Sequence, residues 1–104
     1  MTTVLYEPAE YRLLLTGHAK SAESMDPICA GASALAWALV EAATDRADYR
    51  ASLLIEPKDP KIDVRCDPQP EAIKDCRYMF EVILGGLMLI AEAYPENMQI
   101  RIGG

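Results

Sequence analysis

The spacing of hydrophobic positions changes several times along the chain, and each change marks an element. "TVLYE" (Thr3–Glu7) and "EYRLLLTGH" (Glu10–His18) are rich in strand formers and separated by Pro8 and Ala9, which predicts two antiparallel strands in a hairpin. From Pro27 to about Ala47 the period lengthens. Ile28, Ala32, Leu35, Ala36, Leu39 and Ala43 recur every three or four residues and give one apolar helix face, which Ala34, Trp37 and Val40 widen. A helix so apolar is expected to be substantially buried, its alanines admitting a close neighbour.

"DYRASLLIE" (Asp48–Glu56) and "KIDVRCD" (Lys61–Asp67) predict a second hairpin around "PKDP", whose prolines and aspartate suit a reversal. After "PQP" a second helix is predicted from about Glu71 to Tyr94. Its broad apolar face holds Ala72, Ile73, Cys76, Met79, Phe80, Ile83, Leu84, Leu87, Ile90 and Ala91. Gly85 and Gly86 each cost about 1 kcal/mol there relative to alanine, so a close helix contact is their expected use. "NMQIRIGG" closes the chain with the alternation of a half-buried strand. The order ββαββαβ implies an α+β fold, two layers with helices packed on an antiparallel or mixed sheet.

With 104 residues, 51% of them hydrophobic and 25% charged, residues 1–104 are expected to form a single domain around one core. The start "MTTVLYEPAEYR" does not read as a secretory signal, and the longest uncharged apolar run, "VILGGLMLIA", falls short of the roughly 20 residues that span a bilayer. A soluble cytoplasmic protein with no membrane partner is the expectation. The net charge of −6 argues against direct nucleic-acid binding and suits a basic peptide partner. Three cysteines, Cys29, Cys66 and Cys76, lack the CxxC spacing of a zinc site and are an odd number for a disulfide framework. No metal or cofactor is therefore expected.

One stretch carries candidate chemistry. In "GHAKSAESMDPICAGASAL" the chain's one histidine, His18, precedes by a short polar loop a cysteine, Cys29, in the first turn of the first helix, with Asp26 as N-cap and Pro27 at the first helical position. Unpaired N–H groups and the helix dipole favour a thiolate at such a place, and a thiol pKa of about 8.5 falls there to roughly 3.5–7.5. An imidazole within reach completes a nucleophilic pair, and the same N–H groups can hold an oxyanion. The competing reading is a small core cysteine and an incidental surface histidine. Cys66 and Cys76 read as core residues, Cys66 having no nearby partner in the sequence.

"GHA", a polar loop and "D-x-x-CAGAS", followed much later by "ENMQIRI", resemble the signature of the Prp family, the ribosomal-processing cysteine proteases of bacteria. The resemblance runs over nearly the whole chain. It implies a homodimeric endopeptidase with a Cys/His dyad that removes an N-terminal extension from a large-subunit ribosomal protein, or acts on a related phage structural protein. By position, Cys29 is then the nucleophile and His18 the general base and later acid. Gly17 permits the backbone that presents His18, Asp26 caps the helix and holds the loop, and Ser33 supports the site from behind. Pro27 and Ile28 replace the branched apolar residue and the valine usual there, and the loop "AKSAESM" lacks the acidic, glycine-containing character of the family. A catalytically silent peptide-binding adaptor and a thiol redox protein are the alternatives, the second disfavoured by the lack of a resolving cysteine close in sequence. The dimer is expected to form through Val82, Gly86, Leu89 and Ala93 on the second helix.

Overall fold

The computed structural model describes residues 1–17, 27–56 and 61–103, with the side chains of 27–29 excepted. Its main elements are β1 (Thr2–Glu7), β2 (Arg12–Thr16), α1 (Pro27–Asp45), β3 (Ser52–Glu56), β4 (Lys61–Arg65), α2 (Ile73–Ala93) and β5 (Met98–Ile102). The order is the ββαββαβ of the sequence reading. Strand ends shift for a local reason. A single 3₁₀ turn at Pro8–Glu10 ends on Tyr11 in the left-handed region (φ 50°), so β2 starts at Arg12. A second, Ala47–Tyr49, ends on Arg50 (φ 45°) and delays β3 to Ser52. The "PKDP" turn lies outside the described residues.

The five strands form one mixed sheet, β3-β4-β2-β1-β5. Both hairpins are antiparallel, β2 pairs antiparallel with β4, and β1 pairs parallel with β5 through Thr2↔Met98 to Tyr6↔Ile102. Strand alternation sends Val4, Tyr6, Leu13, Leu15, Val64 and Met98 to one face, where both helices cover them. Phe80 of α2 is fully buried there and stacks on Tyr6, ring centroids 6.0 Å apart. On the other face Arg12 donates to both carboxylate oxygens of Asp63 (3.0 Å each) and to Glu7 (2.8 Å). This bidentate fork satisfies the buried Asp63.

The helices run antiparallel. Gly86 sits against Leu35, so close that a Cβ would come within 2.9 Å of its Cδ1, and Gly31 faces Ile90. Gly86 thus serves the expected close helix contact, whereas Gly85 looks into open space. The expectation that α1 is substantially buried needs correcting. Ala32, Ala36, Leu39 and Ala43 are buried, but Ala30, Ala34, Ala38 and Ala42 are exposed and Trp37 is 50% exposed. A two-layer domain covers a helix from one side only, and alanine is helix-forming at covered and open positions alike.

Candidate active site

Within "GHAKSAESMDPICAGASAL", topology puts Gly17 and the start of α1 at one end of the sheet. β2 finishes at Thr16, beside Thr3 of β1 and Lys61 of β4. The C-terminus of α1 leads through Ala47–Tyr49 to Ser52, which pairs with Arg65 at the opposite end of the sheet. The start of α1 therefore lies at the end where β2 stops, as do the last turn of α2 and Met98. Gly17 and the backbone of Cys29 share this end of the molecule.

Gly17 has φ 92°, a conformation that side chains rarely adopt, and a Cβ there would run into the carbonyl oxygen of Met1. The chain can leave β2 in this direction only through glycine. Cys29 is the third residue of α1, within the turn whose N–H groups have no intrahelical partner, and no acidic residue in that turn opposes a negative charge. Ser33 follows one turn later, half-buried. His18, Asp26, the loop 19–25 and the Cys29 side chain lie outside the described residues.

The other two thiols sit in a contrasting environment. Cys66 and Cys76 are both buried. Burial pushes the Cys66 thiol up to about 12, with neighbouring Cys76 adding to the effect, and burial also raises Cys76. Cys66 and Cys76 are near enough to act on each other's titration, so the apparent isolation of Cys66 in the sequence is corrected: the fold brings the end of β4 to the first turn of α2. Iodoacetamide at pH 5 to 9 is accordingly expected to label Cys29 alone, since only thiolates alkylate quickly and Cys66 keeps its proton throughout that range. Peptide mapping reads the outcome, and equal labelling of Cys66 or Cys76 would contradict it.

Far from Cys29, where α1 ends and α2 begins, a depression of about 370 Å³ is lined by Ala42, Asp45, Arg46, Tyr49, Asp75 and Tyr78, with Met79. Among the described residues its one cation, Arg46, is fully engaged. Arg46 donates to Asp48 (2.8 and 3.0 Å), Asp75 (2.9 Å) and the Tyr49 hydroxyl (3.0 Å), and stacks over the Tyr49 ring. Among the described residues no group of three or more His, Cys, Asp or Glu side chains is placed to hold a metal, and no helix is long and apolar enough to cross a membrane.

The family model for cysteine protease Prp matches residues 6–99, a span that contains both "GHA" and "CAGAS". This chain belongs to the Prp cysteine protease family. It is a cysteine protease. Similar solved structures agree on the fold. The ribosomal processing protease Prp of Staphylococcus aureus with a covalently linked product peptide superposes with a TM-score of 0.83 at 21% identity, covering 99% of this chain and 100% of that one. The same protease with a substrate peptide gives 0.82 at 22% identity, with 99% and 100% covered. A Streptococcus mutans protein is 30% identical, with a TM-score of 0.74 and 97% and 90% covered. No curated protein sequence matches the chain significantly.

Proposed function

We propose that this chain is a cytoplasmic processing endopeptidase in which Cys29 is the nucleophile and His18 the general base. The observation that carries the reading is the cysteine in the first turn of α1 within a chain of this protease family. The Cys29 thiolate attacks the scissile carbonyl, and the N–H groups of the helix start hold the oxyanion. Protonated His18 gives its proton to the leaving amine; it then removes one from water, which attacks the thioester and frees Cys29. Gly17 sets the exit of the chain toward His18, Asp26 caps α1, and Ser33 supports the site one turn behind the nucleophile.

The substrate we propose is the N-terminal extension of a large-subunit ribosomal protein, or an equivalent segment of a phage structural protein. Support comes from the S. aureus relatives, which are described as ribosomal processing proteases with substrate and product peptides. With a net charge of −6 the enzyme favours a peptide carrying Lys or Arg among apolar residues. Incubation with a ribosomal-protein extension and with a phage scaffold peptide, followed by mass spectrometry, tests the assignment. Cleavage of neither by the folded, thiol-reactive enzyme would reject both substrates.

The functional unit we propose is a symmetric dimer. Tyr78, Val82, Gly85 and Leu89 follow each other at spacings of four, three and four along the outer side of α2, and all are exposed. Gly86, expected in this surface, is occupied with Leu35, so Gly85 takes its place in the stripe. Two copies meeting here bury the stripe twice over. Sedimentation is expected to show a dimer at micromolar concentration that Leu89→Lys converts to monomer; a wild-type monomer rejects the interface.

A further inference from the structure

A peptidase that attacks from a helix start must hold its substrate extended, and among the described residues this sheet ends in two edges without a further strand, β3 and β5. They differ in what covers them. α1, which carries Cys29, packs on β4, the neighbour of β3, whereas α2 packs on β5 and stands between that edge and α1. β3 is exposed along all five of its residues, and Leu53, Leu54 and Ile55 follow one another without a charge. An open apolar edge is an aggregation hazard unless something is meant to pair with it.

The pairing register shows which side chains face the helix layer. Leu53 lies opposite buried Val64, and Ile55 opposite Ile62, so both rise on the helix-bearing face; Leu54, opposite Asp63, points to the other. Above them is the flank of α1 turned away from α2. With Ala32, Ala36, Leu39 and Ala43 on the core and Gly31 and Leu35 toward α2, the 3.6-residue period leaves Ser33, Trp37, Val40 and Thr44 on the β3 side. Val40 and Ile62 are packed on the margin of the core, and Trp37 is half-exposed above it. Ser33 is one turn beyond Cys29, so this flank leads back along the helix to the nucleophile.

We infer that the substrate docks as a sixth strand on the free edge of β3, its inward side chains lying between Leu53 and Ile55 below and Trp37 above, with the scissile bond delivered to the Cys29 end. The main chain of β3 supplies affinity for any extended backbone, and the apolar shelf selects alternate large apolar or aromatic side chains. Trp37, Leu53 and Ile55 are thus substrate-positioning residues. The inference rests on Cys29 being the nucleophile, but not on which protein is cleaved.

A short N-acetylated peptide of alternating apolar and polar residues, ending in a chloromethyl ketone, tests it independently of the natural substrate. The Cys29 thiolate displaces chloride and forms a thioether. Amide hydrogen exchange on the labelled chain is expected to slow at Leu53 to Ile55 and to stay unchanged along β5. N-methylation of alternate probe amides is expected to lower the inactivation rate about tenfold, as are Trp37→Ala, Leu53→Ser and Ile55→Ser. These variants should weaken probe binding and leave both the saturated inactivation rate and the iodoacetamide rate of Cys29 unchanged; Leu54→Ser, on the opposite face, should react like wild type. Thioether formation with protection along β5, or none along β3, overturns the inference and leaves the nucleophile standing. Failure of the probe to modify Cys29 removes both. Concentration-dependent protection of β3 in the free chain means that a second copy occupies the edge, which also overturns it.

Discussion

Cys29→Ala is expected to abolish peptide cleavage while leaving the domain folded, and His18→Ala to slow it by a factor on the order of 10²–10⁴. The asymmetry follows from the roles proposed for Cys29 and His18. Without the sulfur no acyl-enzyme forms, whereas without the imidazole a thiolate favoured by the helix start still attacks, but the amine leaves unprotonated and water is not activated. Alanine is the best helix former, so the first turn of α1 tolerates the change. Binding should survive in Cys29→Ala, making it a substrate trap. Product formation by mass spectrometry, with circular dichroism as the control for folding, reads both variants. Undiminished cleavage by Cys29→Ala would sink the mechanism.

Phe80→Ala is expected to be the most damaging single truncation of the core. Phe80 is fully buried, among the largest side chains that are, and the only aromatic ring stacked on Tyr6 among the described residues. Its removal leaves a cavity beneath both helices, at a cost of about 3–5 kcal/mol, out of a total of about 5–15 kcal/mol for a typical domain. Urea unfolding should show a lower midpoint with the slope unchanged. Trp37, larger but half-exposed, serves as contrast: Trp37→Ala should shift the midpoint far less, and a similar shift for the two would mean that Phe80 does not centre the core.

Element order and type were readable because each depends on local spacing. The period-2 alternation of Met98, Ile100 and Ile102 and the 3.6-residue pattern through Cys76, Phe80, Ile83 and Leu87 need no tertiary knowledge. Which surface each element finds is a different matter. "SLLI" has the continuous apolar pattern of a buried strand, yet β3 is an exposed edge, because strand order depends on crossovers between distant segments. The same ignorance hid the Cys66–Cys76 contact and left the roles of Gly85 and Gly86 undivided. In the site, a cysteine at a helix start and a glycine before His18 were visible as motifs. Their common end of the sheet was not, since it is set by the antiparallel run of β2 against β1 and the return of α1 to β3.

The parallel pair β1–β5 has a consequence for how the enzyme comes into being. β1 leaves the ribosome ahead of the other described strands, but the partner of Thr2 is Met98, and the Thr2 amide donates to the carbonyl of Asn97 (2.9 Å). Every element from β2 through α2 must be synthesised before that bond can form. Contacts so far apart in sequence close slowly, and until they do one side of β1 stays open and Met98 is missing from the core. The same Met1–Thr2 segment is the one against which Gly17 turns, so the end of the sheet where α1 starts is completed only when β5 docks. A nascent chain thus carries Cys29 well before the sheet beneath it can close, and that closure waits for β5.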